Sequence, residues 1–184
     1  MVEIIFMTNK LLISTFLAGV LSFSNSCEKL MKDDELVLQK QNYTGNQLRL
    51  DGYYYEEFEE KYYSIYFFYE DGTLLYGDGG FTKKEFIEHE KEFTKDVWLN
   101  GVKSYKAYWG LFMIENDSIV FERWYPSSGG PFPAHRRSGK ILNDTTFLIT
   151  KSIRSNGKEE QKLNEIYHFK KFSPKPDSTN VFIK

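Results

Sequence analysis

Short aromatic and β-branched runs separated by turn residues constrain this chain more than any other feature. From residue 48 onward, runs of about ten residues alternate with turns that contain Asn, Asp or Gly. The turns are centred on Asp71-Gly72, Asn116-Asp117, Asn143-Asp144 and Asn156-Gly157. Asx-Gly pairs accept the positive φ angles of tight hairpins. The pattern predicts a mainly β fold, an antiparallel meander of about eight strands forming a barrel or a sandwich.

The aromatic content of the chain also favours strands. Phe, Trp and Tyr make up 17% of the residues, with 13 Tyr and 16 Phe. Such residues fit the half-buried, pleated surface of a sheet. One strand is apolar on both faces, because Trp109, Leu111 and Met113 share one face. Phe112 and Ile114 share the other. We therefore expect this strand to be covered on its outer side by the helix or by the N-terminal segment.

One helix is expected to interrupt the strands. The tetrapeptide TKKE that begins at Thr82 has the capping-box pattern, in which the Thr and Glu side chains satisfy free amides at the helix start. Phe86, Phe93 and Val97 then recur at helical spacing among charged residues. The spacing predicts a single amphipathic helix over residues 82–98, after the third strand.

An apolar run near the start of the sequence predicts export. Residues 11–21 form this run, which Lys10 precedes. It is shorter than the span of about 20 residues that crosses a membrane, and it is typical of a signal peptide. A start at Met7 rather than Met1 stays open, because it places the positive residue closer to the beginning.

The single Cys of the chain follows this run. The tetrapeptide SNSC that ends at Cys27 resembles a lipobox, the site at which bacterial lipoproteins are acylated and cleaved. The next charged residues, Lys32, Asp33, Asp34 and Glu35, are similar to the export signal of surface-displayed Bacteroidota lipoproteins. The resemblance implies a lipid anchor in the outer membrane through acylated Cys27. It favours display at the cell surface, and a periplasm-facing anchor is the alternative.

A simpler interpretation stays open for the leader and for the charged motif. The leader could belong to an ordinary secreted protein with Cys27 as a core thiol, and the charges at 32–35 could form only a solvated tether. On the favoured interpretation the chain comprises a signal peptide over residues 1–26, a lipidated Cys and flexible tether over 27–46, and a β domain over 47–184.

The order of strands and helix, with the sequence WGLFMIENDSIVFERW over residues 109–124, resembles the lipocalin-like (calycin-type) small barrels of exported Bacteroidota lipoproteins. The resemblance covers most of residues 48–172 and includes no catalytic signature. It implies a barrel that either encloses an apolar cavity or is filled by its own side chains.

The sequence contains no recognisable catalytic constellation. His89, His135 and His168 are far apart and lack metal-ligand spacing. A nucleophile elbow and a phosphate-binding loop are both missing from the sequence. The net charge of −2 is spread along the chain, without the basic patch that nucleic acid requires. We therefore expect no cofactor, no metal, no enzyme activity and no nucleic-acid partner.

One loop combines residues suited to binding. Trp124 and Tyr125 precede a Gly- and Pro-rich segment that ends at His135, Arg136 and Arg137. Aromatic faces and guanidinium groups can stack on and hydrogen-bond an anionic or carbohydrate ligand. We call these five residues the candidate ligand rim. The alternative is a long hairpin loop whose arginines pair with Glu122 or are only solvated.

The sequence as a whole favours a membrane-anchored, noncatalytic binding or interaction module. Its partner would be a small apolar ligand, a glycan or an envelope protein. A structural accessory subunit of an envelope complex is the alternative, and an enzyme is the least favoured class because the required residues are missing. An apolar cavity would favour a ligand, whereas a filled barrel would favour a partner protein.

Overall fold

The computed structural model describes residues 32–59 and 61–184. The predicted signal peptide over residues 1–26 and the predicted lipid attachment at Cys27 lie outside the described residues. The described part includes the charged motif at 32–35, the candidate ligand rim and the whole β domain apart from residue 60.

Eight antiparallel strands follow one another around a closed barrel, in which the first strand pairs with the last. The strands are β1 (Gly52–Phe58), β2 (Tyr62–Phe68), β3 (Thr73–Thr82), β4 (Trp109–Glu115), β5 (Ser118–Trp124), β6 (Ala134–Asn143), β7 (Thr146–Arg154) and β8 (Gln161–Lys171). The predicted meander is confirmed, and it closes into a barrel consistent with a calycin-like fold. The β2–β3 turn contains Gly72 at φ 81°, as the Asp-Gly pair requires.

Two short helices, α1 (Lys83–Glu90) and α2 (Asp96–Ser104), stand where the sequence predicts one helix. The capping box at Thr82 is confirmed. The single helix over 82–98 is wrong, because the chain turns between the two helices and thereby buries Phe93 completely against the sheet. Val97, expected on the apolar face, is 87% exposed.

The two ends of the barrel differ in their loops. We call the end with the β5–β6 loop the upper end, and the end with the β2–β3 and β4–β5 turns the lower end. Aromatic rings fill the lower half of the barrel interior. The Phe68 ring meets those of Phe112 and Phe147, with ring centroids 4.9 and 5.9 Å apart. The chain's own side chains therefore occupy this half of the interior.

A second apolar cluster lies outside the barrel. The helices and the partly buried Leu36 and Leu38 pack there against the outer faces of the strands. Trp109 and Leu111 belong to this outer cluster, whereas Phe112 belongs to the inner one. The prediction that β4 is covered on both faces is confirmed.

Residues 32–40, which we call the strap, run down the outside of the barrel. At the upper end, the Asp34 backbone N–H donates to the Phe132 carbonyl at 2.9 Å. At the lower end, Lys40 pairs with Asp71 at 3.2 Å. The strap occupies part of the segment that the sequence assigns to a flexible tether.

Candidate functional site

The structure divides the candidate ligand rim between the two faces of the sheet. Trp124 and Arg136 point outward, whereas Tyr125, His135 and Arg137 lie on the inner face. The division follows from the strand pleat, in which neighbouring side chains point to opposite faces. The five residues therefore do not form one continuous binding rim.

Trp124 is covered by the strap. Its side chain is only 6% exposed, and its Nε1 donates to the Asp34 carbonyl at 2.7 Å. The Lys106 ammonium lies 4.3 Å from the ring centre, which is cation–π distance. The Trp124 ring is consequently part of the strap's docking surface and has no free face for an external ligand.

Arg136 lies opposite Glu122 in the β5–β6 pairing, but the carboxylate has other partners in the described residues. Glu122 Oε2 accepts the backbone N–H groups of Val37 and Leu38 at 2.7 and 2.8 Å, and its other oxygen accepts the Ser155 hydroxyl. Glu122 has no exposed surface. Its carboxylate holds the middle of the strap, and Arg136 remains half-buried on the outer face.

The charged motif at 32–35 lies at the upper end of the strap. Asp33 Oδ1 accepts a backbone N–H of the β5–β6 loop at 2.8 Å. Asp34 accepts from Arg154 Nε at 2.7 Å, and this hydrogen bond lowers the pKa of Asp34. Lys32 and Glu35 pair with each other at the surface. Two sites that the sequence predicts separately, the export motif and the ligand rim, therefore contact each other.

The upper half of the barrel interior is polar. We call this region the polar cluster, and its members are Glu56, Tyr66, Tyr76, Arg123, Tyr125, Arg137, Glu165 and Tyr167. Arg137 Nη1 donates to Glu165 and, at 3.1 Å, to the Tyr167 hydroxyl. The side chains of Arg137 and Glu165 keep 19% and 17% of their exposure. The cluster is thus largely buried but reaches solvent.

Arg123 stands at the centre of the polar cluster. It is 5% exposed, and its guanidinium carbon lies 3.9 Å from the ring centre of Tyr76 and 3.8 Å from that of Tyr125. Its hydrogen bonds go to neutral oxygens, the Tyr66 hydroxyl and two backbone carbonyls. In the part of the chain that the structure describes, no carboxylate forms an ion pair with Arg123. A buried charge normally has a counter-charge, so this guanidinium is exceptional.

Two other polar atoms of the cluster lack a hydrogen-bond partner among residues 32–59 and 61–184. The Tyr125 hydroxyl and Arg137 Nε are both buried and form no hydrogen bond there. The Arg137 guanidinium carbon lies 6.0 Å from the Tyr125 ring centre. Both groups can donate, so an acceptor that reached both would satisfy them. His135 sits at the edge, with its ring centre 5.2 Å from that of Tyr125, and burial lowers the pKa of His135.

Glu56 is the cluster's second carboxylate. It is 7% exposed and accepts the Ser64 hydroxyl at 3.4 Å. Burial, reinforced by the nearby Glu165, raises the pKa of Glu56 to about 7. Near neutral pH, Glu56 therefore neutralises only part of the charge of the two arginines.

Six members of the cluster were missed by sequence reasoning: the charged Arg123, Glu56 and Glu165, and the tyrosines Tyr66, Tyr76 and Tyr167. A signal existed for Arg123, because it shares the alternating face of Ile119 and Phe121, which are buried inside the barrel. A charged residue at an inward position of a strand indicates a polar site. No comparable local signal joins Glu56 to Glu165, because they meet only through barrel closure.

Comparison with known proteins finds no family model, curated protein or solved structure that matches the chain. None of the helices in the described ranges has the length and apolar character needed to cross a membrane. Those ranges also contain no group of three or more His, Cys, Asp or Glu side chains arranged to hold a metal ion.

Proposed function

We propose that the protein is a lipid-anchored, noncatalytic binding protein whose polar cluster takes a small ligand bearing an oxyanion group. Carboxylate, phosphate and acidic-sugar groups all belong to this class. The observation that carries the proposal is the buried Arg123 guanidinium without a carboxylate partner in the described residues. An oxyanion supplies the missing counter-charge.

The unsatisfied donors of the cluster support the same chemistry. The Tyr125 hydroxyl and Arg137 Nε can both donate to one oxyanion, and hydrogen bonds to charged groups are stronger than neutral ones. Arginine also binds carboxylate and phosphate groups through paired hydrogen bonds donated in the plane of its guanidinium group. An anion therefore fits this cluster better than a neutral or cationic ligand.

The filled lower half of the barrel argues against a large apolar ligand. Rings such as Phe68, Phe112 and Phe147 already contact one another there. Displacing them would expose apolar surface, at a cost of roughly 25 cal/mol per Å². A small ligand held at the upper end avoids this cost.

The lipid anchor is proposed from the sequence. Support comes from the position of the only Cys directly after an apolar leader-like run. Outer-membrane attachment with display at the cell surface is the proposed localisation, and a periplasm-facing anchor is the alternative. Cys27→Ser is expected to leave the protein exported but extractable without detergent. Tight membrane association of that variant would exclude acylation at Cys27 as the anchor.

The ligand class is tested by calorimetric titration of the Cys27→Ser protein. Acetate, phosphate and glucuronate are the probes, and glucose is the neutral control. We expect at least one oxyanion to bind and glucose not to bind. Tyr125→Phe keeps the ring and removes the free hydroxyl, so the affinity for that oxyanion should fall by roughly tenfold to a hundredfold.

The matched control is Tyr54→Phe, the same substitution in the lower half of the barrel. The Tyr54 hydroxyl already donates to the Asp144 carbonyl at 2.9 Å, away from the polar cluster. The affinity of Tyr54→Phe should equal that of the parent protein. Failure of all three oxyanions to bind, or equal affinity in the parent protein and Tyr125→Phe, would exclude the polar cluster as an oxyanion site. An accessory role in an envelope complex would then be the better explanation.

A further inference from the structure

The strap fixes where the chain leaves the barrel. Asp34 is held at the upper end by five hydrogen bonds, through its backbone N–H, its carbonyl and both carboxylate oxygens. Trp124 and Arg154 are two of the donors, at 2.7 Å each. Further along, the buried Glu122 binds the strap's backbone. The fold therefore fixes the direction in which the strap runs, from the upper end of the barrel to the lower end.

The distance from the strap to the proposed anchor is short. Only residues 28–31 separate Cys27 from Lys32. Five Cα steps of a fully extended chain span at most about 18 Å. Lys32, at the upper end of the strap, therefore lies no further than this from an acylated Cys27, whatever conformation the connecting residues adopt.

We infer that the upper end of the barrel, with the β5–β6 loop over residues 125–133, lies against the surface of the bilayer that holds the anchor. This inference rests on the lipid anchor of the proposed function. The lower end, with the β4–β5 turn, points away from the membrane. A strand of seven residues with the tilt of a small barrel separates the two ends by roughly 15–20 Å. The polar cluster then faces the headgroup region.

Single-thiol labelling tests the orientation on the acylated protein. The chain contains one Cys, which acylation blocks, so an introduced Cys is the only free thiol. Ser128→Cys places a fluorophore at the upper end, and Asp117→Cys places it at the lower end, at residues that are both exposed. The labelled proteins are incorporated into phosphatidylcholine vesicles that contain a headgroup nitroxide quencher. We expect several-fold stronger quenching at residue 128 than at residue 117.

Flotation of the vesicles separates failure of the anchor from failure of the orientation. Protein that does not float refutes the anchor and, with it, this inference. Protein that floats but shows equal quenching at both positions, or stronger quenching at residue 117, overturns the orientation alone. Each labelled protein with Cys27→Ser should neither float nor be quenched.

A variant with a released strap tests the cause of the orientation. Asp34→Ala combined with Glu122→Ala removes contacts at the top and the middle of the strap. The longer free chain should let the barrel tumble, so the difference in quenching between the two labels should shrink. An unchanged difference in a variant whose barrel still gives a β-sheet spectrum would show that the strap does not set the orientation.

Discussion

The hydroxyl groups of two inward-facing tyrosines have different environments. Tyr54 donates to the Asp144 carbonyl at 2.9 Å, whereas the Tyr125 hydroxyl is buried without a partner in the described residues. An unsatisfied buried hydroxyl lowers stability, and a satisfied one raises it. Residues of one type on one face of the barrel therefore divide into one with a structural hydrogen bond and one whose hydroxyl the proposed oxyanion would satisfy.

Only one of the two Tyr-to-Phe substitutions should lower the stability of the protein. Tyr54→Phe is expected to lower the free energy of unfolding by about 1 kcal/mol, because it leaves a carbonyl without its donor. Tyr125→Phe should leave that free energy unchanged or raise it slightly. Urea denaturation of the ligand-free protein measures both. A loss of stability in Tyr125→Phe as large as that in Tyr54→Phe would mean that the Tyr125 hydroxyl has a partner in solution.

Glu56 should make stability depend on pH. Its pKa is raised from 4.5 to about 7, chiefly by burial, so the folded state keeps a proton that the unfolded chain releases. Stability contributed by this proton is present below pH 4.5 and is lost as the pH rises to about 7. The loss is on the order of 3 kcal/mol, at about 1.4 kcal/mol for each pKa unit.

The difference between the parent protein and Glu56→Gln isolates this effect from other titrating groups. Glu56→Gln keeps an acceptor for Ser64 and has no charge to bury. Its stability relative to the parent protein should rise between pH 4.5 and pH 7 and then level off. A difference that is constant over this range would show that Glu56 titrates with an ordinary pKa.

At the scale of elements, the middle of the strap is held by one buried carboxylate. Glu122→Ala removes the acceptor of two backbone N–H groups, and we expect it to lower the free energy of unfolding by about 3 kcal/mol. Glu122→Gln keeps one acceptor oxygen and should lower it by only about 1 kcal/mol. Denaturation gives these values. Hydrogen exchange of the Val37 and Leu38 amides, which should lose protection in Glu122→Ala, gives the local effect.

Glu115→Ala is the control for this prediction, because Glu115 is an exposed Glu on the neighbouring strand. Its stability should be within about 0.5 kcal/mol of the parent protein. If Glu122→Ala were equally mild, the strap would not depend on that carboxylate.

The strap also changes how the predicted export signal is tested. Replacing Asp33 and Asp34 would remove hydrogen bonds to the barrel, so reduced surface display could reflect lost stability. Lys32 and Glu35 form a surface ion pair with each other, and neither forms another salt bridge among the described residues. Lys32→Ala with Glu35→Ala should therefore lower display without lowering stability. Unchanged protease accessibility on intact cells would indicate that these two charges are not part of an export signal.

At the scale of the whole molecule, the barrel depends on cover from outside. Trp109 and Leu111 face outward beneath an apolar layer to which Leu36 and Leu38 contribute. A chain that starts at Gln41 lacks this part of the cover, whereas one that starts at Lys32 keeps it. We expect the shorter chain to lose at least about 3 kcal/mol of stability and to bind more of a hydrophobic dye. Equal stability of the two chains would show that the strap is only a connector.

The sequence by itself determined the strand meander, the capping box at Thr82 and the two-sided burial of β4. These features follow from residues close in the chain, because turn chemistry, helix capping and strand alternation act over a few positions. The same alternation could have shown that Trp124 and Tyr125 point to opposite faces. The single helix over 82–98 was the local prediction that failed, because the chain turns after Glu90 and Phe93, within that turn, is buried against the sheet.

Only the tertiary structure decided the composition of the site. Glu56 and Glu165 come together because β1 pairs with β8, and Asp34 reaches Arg154 because the strap crosses the barrel. These residues are separated by about a hundred positions or more, and no local pattern encodes which charges meet across such a distance. Barrel closure buries Arg123 among tyrosine rings, where a charge without a counter-charge is energetically costly. In the sequence alone, it is one more arginine in a strand.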